Sequence, residues 1–536
     1  MQSNNYWSST TNANNTDNAW IVNMWNGNVN NNNKSNNNYV WPVRSGKWQP
    51  PLFSFQSLYS SYRKCRKNKR NTINALRFEI NAEEKLFDLS RELESRTYRP
   101  ARSVCFVVER PKMREIIAAD FRDRVIHHLL VTNLEKIYEP IFIFDSYSCR
   151  NGKGVHRAVE RLNVFIRKGG LNGRRKLYYV HLDIKNFFMT IDKGILYGMI
   201  EKKVKDEELL WLAHTIIFHN PTDGCIIKGN REILKHIPPH KSLFHSSEGK
   251  GLPIGNLTSQ FFANLYLNEL DQFAKHALKA KHYLRYCDDM ILLGESPEIL
   301  LEQRERMRDC AEAKLRLSMS DKFSRVAPVS NGIDFLGYIV RPDYRLVRRR
   351  AVNNLRERLN AYEKNLTSVE NKITVARYDF PSIERLRAVI ASYWGHFKWA
   401  DTHKLKKAII NRYGFLKEYF VFDKMKVELR YPDPGPFRTI RGQYRYFAEK
   451  FKGAVLFFQA GCFYEFYDDL KDEEKEILRL KRIRQSRRGV TYGFPIKYGK
   501  TIAERLVKRG MPVVFIHETD RYLTRIKERL PFVKMT

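Results

Sequence analysis

The run Leu284-Arg285-Tyr286-Cys287-Asp288-Asp289-Met290-Ile291-Leu292-Leu293 sets two adjacent carboxylates between two apolar segments. Short apolar runs on either side predict two buried strands, with both acids at the tip of a tight hairpin. Neighbouring carboxylates at the edge of a core repel one another and lose hydration, a cost that a bound cation removes. A second acid lies upstream, in Val180-His181-Leu182-Asp183-Ile184-Lys185-Asn186-Phe187-Phe188. There the pattern predicts a strand over Tyr178–Asp183 ending in an aspartate, then a turn bearing two aromatics. Two strands that deliver acids to one place supply what two-metal phosphoryl transfer needs. In that chemistry a pair of Mg²⁺ ions about 3.5–4 Å apart activates a hydroxyl and stabilises the leaving pyrophosphate. Solvated acids at strand ends are the competing reading, common for one Asp and improbable for this set.

Composition agrees with a phosphate-rich partner. The 536 residues carry 95 Lys+Arg against 59 Asp+Glu, a formal balance of +36, which favours nucleic acid through counterion release. An acidic membrane surface is the weaker alternative, since no basic amphipathic helix stands out. A charged fraction of 29% with 43% hydrophobic residues excludes wholesale disorder. No apolar run reaches the roughly 18 residues of a membrane span. Seven cysteines without CxxC spacing argue for a reducing compartment and against a zinc site.

In motif order, residues 52–420 resemble reverse transcriptases. The resemblance implies an α+β right-hand polymerase, with fingers and palm over residues 51–345 and a helical thumb over 346–430. Asp183, Asp288 and Asp289 match the family's metal-binding acids, implying two Mg²⁺ ions with Mn²⁺ as a substitute. Phe188 matches the bulky residue under the nucleotide sugar, which implies a preference for deoxynucleotides. Val104–Val108 and Glu115–Ala119 read as strands around a turn at Pro111-Lys112-Met113, like the hairpin that grips the incoming triphosphate. Arg114 matches one basic residue of that hairpin, and Lys112 and Arg110 are alternatives for the lysine role. Phe121 to His128 and Ser146 to Gly154 continue the pattern along template or nucleotide. Lys322 lies where polymerases place a general acid toward pyrophosphate; a solvated lysine is the plain alternative. Gly332 to Tyr338 resembles the primer grip, and Ser392 to Phe397 belongs to the thumb-like helices.

Gly251-Leu252-Pro253-Ile254-Gly255-Asn256-Leu257-Thr258-Ser259-Gln260 narrows the subfamily. Ile254 with Gln260 looks like the reverse transcriptases of diversity-generating retroelements, which copy a template-repeat RNA with errors opposite adenine. That resemblance implies dNTPs, template-repeat RNA and an RNA–DNA heteroduplex as partners, and a cytoplasmic setting in a bacterium, archaeon or phage. It also raises a separate accessory variability protein. An apolar Ile254 cannot hydrogen-bond near the templating base, so it is the candidate fidelity residue, with Gln260 beside the nucleotide.

The first 38 residues hold 16 asparagines, with Trp7, Trp20 and Trp25 among them. Low-complexity asparagine buries little apolar area, so residues 1–50 are expected as a disordered tail. The tail also resembles the end of variable C-type-lectin-like target proteins, as though a template repeat were translated in frame. The alternative is an overrun from a start codon near residue 50.

Tyr431-Pro-Asp-Pro-Gly-Pro436 predicts a linker, taken as residues 431–443. Beyond it, a strand over Ala454–Phe458, helix over most of Tyr464–Arg482, a helix at Ile502–Arg509 and a strand at Val513–Ile516 suggest a small mixed α/β domain. Val455 to Asp469, Tyr492 to Pro495 and Ile502 to Glu518 resemble the first domain of MutS mismatch-repair proteins, placing that module at 444–536. The resemblance makes Phe463 a base wedge and Glu465 its hydrogen-bonding partner, although Cys462 stands where Asp is usual. A core role for Phe463 is the bland alternative. Arg482 and Arg484 belong to a basic cluster suited to nucleic acid. Such a module could replace the accessory protein. Other readings are a group II intron-like or antiphage defence reverse transcriptase, and a non-catalytic nucleic-acid binder on a polymerase fold.

Overall fold

The computed structural model describes residues 50–67, 72–109, 112–321, 325–423, 426–431, 437–467, 470–480, 482–483, 489–490, 492–523 and 525–536. It also describes the backbone of strands Asn5–Thr11, Asn18–Asn23, Val29–Asn33 and Tyr39–Val40. Two compact units result: Met1–Pro140 with Lys193–Phe261, and Ile141–Asp192 with Phe262–Thr536. The first unit thus takes two stretches from the expected fingers–palm span, and the remainder joins everything that follows.

In the first unit the helix Phe121–Tyr138 is capped by Asp120, whose carboxylate accepts from the Arg122 amide at 3.0 Å. Val125, Ile126, Leu129, Leu130 and Leu134 bury its apolar face. The strands Val104–Val108 and Arg114–Ala118 pair antiparallel with Val108 opposite Arg114. A two-residue strand at Ile226–Ile227 joins Val104–Val108 in parallel.

The four tail strands form one sheet in the order Val29–Asn33, Asn18–Asn23, Asn5–Thr11, Tyr39–Val40. This corrects the expectation of a disordered tail. Asparagine-rich composition says little about a chain whose Trp, Val, Ile and Thr residues favour strands and whose backbone groups pair across a ladder.

The second unit is built on a four-stranded antiparallel sheet in the order Ala327–Pro328, Tyr178–Leu182, Asp289–Gly294, His282–Tyr286. Helices Val155–Gly169 and Pro297–Leu315 pack on it. Val180, Leu182, Met290, Ile291 and Leu292 are all buried, so the strands read as continuous apolar runs rather than alternating ones.

The region 346–430 is not wholly helical. Helices Arg349–Leu366, Phe380–Phe397 and His403–Arg412 are interrupted by a hairpin of Thr367–Glu370 and Ile373–Arg377, and a second of Phe420–Asp423 and Lys426–Leu429. Asn371 and Lys372 take φ of 50° and 66°, the left-handed pair that a two-residue hairpin turn demands between β-branched segments.

This first hairpin enters a seven-stranded sheet, running Thr367–Glu370, Ile373–Arg377, Ile526–Met535, Val513–Leu523, Val455–Ala460, Phe463–Phe466, Tyr492–Pro495. The Thr374 amide donates to the Thr536 carbonyl at 2.8 Å, and that of Tyr378 to Phe532 at 2.9 Å. The C-terminal segment is therefore continuous with the region before it. Tyr431, expected in a linker, is buried and stacks on Phe451 at 4.2 Å, and a helix already runs over Ile440–Lys450. Residues 432–436 lie outside the described residues. Most of Tyr464–Arg482 is likewise not helix: Phe463–Phe466 is a strand, because its alternation buries Tyr464 and Phe466, and only Asp472–Leu478 is helical.

Candidate active site

The sheet register sets Asp183 level with Asp289, and Asp288 lies in the adjoining turn. Tyr286 pairs with Asp289, and the chain reverses over Cys287 and Asp288, with Cys287 in the left-handed region at φ 55°. Met290 lies opposite Leu182, so Asp183, the next residue along, reaches the level of Asp289 on the neighbouring strand. The Asp183 carbonyl accepts from the Ser320 amide at 2.7 Å, which fixes the backbone where the strand ends. All three aspartates are half-buried.

His181 shares the face of Asp183, two residues back, and its Nε2 lies 3.2 Å from Asp289 Oδ1. The ring packs edge-on to Phe335, centroids 6.5 Å apart. Three carboxylates are the hard oxygen donors that Mg²⁺ takes, so residue types and register fit a divalent-cation site. In the geometry described, no three His, Cys, Asp or Glu side chains among the described residues converge on one point, and Asp289 is engaged by His181 instead.

Beneath the hairpin lies a buried ion pair that inspection of the motif overlooks. Arg285 and Asp271 are both 0% exposed, with Nη2 to Oδ2 at 2.7 Å. Burial opposes the charge on Arg285, and the Asp271 carboxylate outweighs it, so the guanidinium is held more firmly protonated than usual. A charged residue inside an otherwise apolar strand was the available signal, since such a cation must find partners.

The other expected residues distribute as follows. Phe188 follows the left-handed Asn186 in a short helix, Phe187–Thr190, half-buried beside Phe187 at 5.3 Å. Lys322 lies outside the described residues, as do Arg110 and Arg484. Its neighbour Asp321 pairs with Lys185 at 3.2 Å and with Arg308 at 3.0 Å.

In the first unit Lys112 and Arg114 are both exposed at the hairpin tip. The loop with Ile254 is sewn onto the strand that begins at Arg114: the Ile117 amide donates to the Ile254 carbonyl at 2.9 Å, and the Ala119 amide to Asn256 Oδ1 at 3.0 Å. Ile254 is half-buried and Gln260 exposed. Glu115, absent from the sequence expectations, is buried and accepts from Ser242 Oγ at 2.7 Å and from the Leu243 amide.

In the C-terminal segment Phe463 stands at a hairpin tip and is 48% exposed, which rules out a core role. The core there is Phe457, Tyr464, Phe466, Phe494 and Phe515. Glu465 accepts from the Tyr467 hydroxyl at 2.7 Å, and Arg482 is exposed.

Comparison with known proteins matches three stretches of the chain to separate families. Residues 108–340 match the family "Reverse transcriptase (RNA-dependent DNA polymerase)", residues 439–529 match "MutS domain I", and residues 1–44 match "Lcl C-terminal domain". The chain is 23% identical over 324 residues to Protein YkfC of Escherichia coli (strain K12), covering 54% of this chain and 80% of that protein. It is 29% identical over 195 residues to the group II intron-encoded protein LtrA of Lactococcus lactis, covering 36% of this chain but only 28% of LtrA. Among solved structures, a telomerase from Candida albicans shows 12% identity and a TM-score of 0.33, over 60% of this chain and 58% of that one, a likeness too slight to bear on the fold. Among the described residues no helix is long and apolar enough to cross a membrane.

Proposed function

We propose that this chain, an RNA-directed DNA polymerase by its reverse transcriptase domain, is the mutagenic polymerase of a diversity-generating retroelement. The observation that carries the reading is Ile254 with Gln260 in the Gly251–Gln260 motif: Ile254 lies on a loop bonded to the strand that starts at Arg114, and Gln260 lies in the helix that follows, Leu257–Gln272. The match of the Asn-rich residues 1–44 to a domain family supports treating that segment as coding sequence with its own origin.

Asp183, Asp288 and Asp289 would hold two Mg²⁺ ions, or Mn²⁺ in their place. Bound there, the ions supply Lewis acidity to the primer hydroxyl and charge neutralisation to pyrophosphate. The chain's own residues do the positioning. Arg114 and Lys112 clamp the triphosphate of a dNTP, and charged donors on phosphate give both grip and orientation. Phe188 closes the space a ribose 2′-hydroxyl would need. Lys322 donates a proton to departing pyrophosphate. Ile254 offers the templating base no hydrogen bond, so mispairing opposite adenine is less strongly rejected. Phe463 stacks on a base of the RNA–DNA duplex, with Glu465, Arg482 and Arg484 around it, a role that would let the MutS-like segment stand in for a separate accessory protein.

On a defined RNA template with Mg²⁺, the full chain should extend a DNA primer with errors concentrated at adenine. Asp288→Ala should lower extension by at least ~10³-fold. Ile254→Gln should bring adenine errors down toward those at other bases; an unchanged error spectrum refutes the retroelement reading while leaving the polymerase intact. A group II intron-like reverse transcriptase is the second reading, favoured by the likeness to LtrA. A near-copy of the Asn-rich coding region in flanking DNA, differing only at adenines, decides between them.

A further inference from the structure

We propose that Arg285 is a positioning residue for the catalytic hairpin, clamping the Cys287–Asp288 peptide so that Asp288 faces its metal. The inference rests on reading Asp183, Asp288 and Asp289 as the metal-binding acids. Arg285 has five N–H donors and all five are used. Nε donates to Asp271 at 2.8 Å. One Nη2 hydrogen goes to Asp271 at 2.7 Å and the other to Ser146 Oγ at 3.1 Å. Nη1 serves Asn264 Oδ1 at 3.2 Å and the Cys287 carbonyl at 3.1 Å. Asp271, on the same helix two turns beyond Asn264, also accepts from the Tyr283 hydroxyl at 2.7 Å.

The Cys287 carbonyl belongs to the peptide that leads into Asp288. Cys287 is left-handed at φ 55°, a conformation that costs a residue with a Cβ roughly 1 kcal/mol. A turn under that strain relaxes unless something holds its carbonyl, and the guanidinium fork does so from within the core. Stability alone does not call for this arrangement, because an apolar pair of equal volume is often as stable as a buried ion pair or more so. Lysine cannot substitute, since three donors on one nitrogen cannot span Asp271, Asn264 and the Cys287 carbonyl together.

The test uses the full chain and its Arg285→Lys variant. Melting temperature, RNA–DNA duplex affinity without metal, kcat for single-nucleotide addition and the Mg²⁺ concentration giving half-maximal rate are all measured. The expected result is a lower but still cooperative melting transition and near-native duplex affinity, with kcat reduced about 10- to 100-fold, as a small misplacement of a reacting group produces. Half-maximal rate should need several-fold more Mg²⁺. Native kcat and Mg²⁺ dependence in the folded variant would overturn the proposal, and so would a kcat loss with unmoved Mg²⁺ dependence. If Arg285→Lys fails to fold, the combination Arg285→Met, Asp271→Leu and Tyr283→Phe replaces the network with apolar volume. It should fold and still show both kinetic defects; native kinetics there is equally decisive against. A wild-type chain that does not polymerise would instead remove the reading of the three acids.

Discussion

Gly255 has a φ of 125°, and a Cβ placed on it would sit 2.8 Å from Ile116 Cγ2. A side chain there meets both backbone strain and a packed strand, so Gly255→Ala should lower the stability of the first unit by about 1–3 kcal/mol in denaturant unfolding. Ile116→Ala should relieve the contact but not the strain, restoring only part of the loss. Two buried groups on the helix Phe121–Tyr138 make a second test. Burial lowers the His127 imidazole to about 3, so the unfolded chain takes up a proton below its ordinary 6.5 and stability is lost as pH falls through that value. Burial raises the Asp123 carboxyl to about 6 against an ordinary 3.8, so the folded chain takes up a proton first and stability is gained as pH falls from 6 toward 3.8. The two oppose one another over that window. Asp123→Asn removes the offset, and its stability should fall more steeply than wild type between roughly pH 6 and 4, by up to about 1.4 kcal/mol per pH unit. Parallel pH profiles for the two proteins would refute this.

At the level of elements, the hairpin Thr367–Arg377 changes how the C-terminal segment can be studied. Deleting residues 437–536 strips the strand Ile526–Met535 from Ile373–Arg377 and uncovers Tyr378 and Tyr419, which are buried in one core with Tyr431 and Phe451. The truncated chain should melt lower and aggregate through its open edge strand, seen by light scattering on heating. Loss of RNA binding by that deletion therefore would not isolate a binding surface. Phe463→Ala does, because the ring is exposed and absent from the core. Its melting temperature should match wild type while duplex affinity falls about 5- to 150-fold, the range of one base–aromatic stack. The strands Val104–Val108, Tyr178–Leu182 and Asp289–Gly294 were legible because each is a bounded apolar run. The hairpin at 367–377 was not, since its turn is Asn371-Lys372 rather than a glycine pair and it sits between long helices.

Across the whole molecule the balance of +36 draws on basic residues of both units. Arg63, Lys64 and Arg66 close the helix Phe55–Arg66, Arg349 and Arg350 open the helix Arg349–Leu366, and Arg482 belongs to the appended segment. Duplex affinity should fall linearly in log–log form with salt, the slope shrinking by roughly 0.9 for each basic residue removed from a phosphate. The double variant Arg349→Ala, Arg350→Ala, measured by anisotropy across a salt series, should flatten the slope by nearly two. An unchanged slope would place those residues off the duplex.

The strands that carry Asp183 and Asp289 and the stretch that matches MutS domain I were legible in the sequence alone, because short-range pattern fixes strand, turn and charge. Tertiary structure decided which residues support them. Arg285 finds Asp271, Asn264 and Ser146 only when distant stretches meet, and Asp289 meets His181 only through the register of two strands. The union of Ile373–Arg377 with Ile526–Met535 joins segments some 150 residues apart into one sheet. Backbone pairing of that kind leaves no local mark, since the same β-branched alternation satisfies any edge that its hydrogen bonds happen to reach.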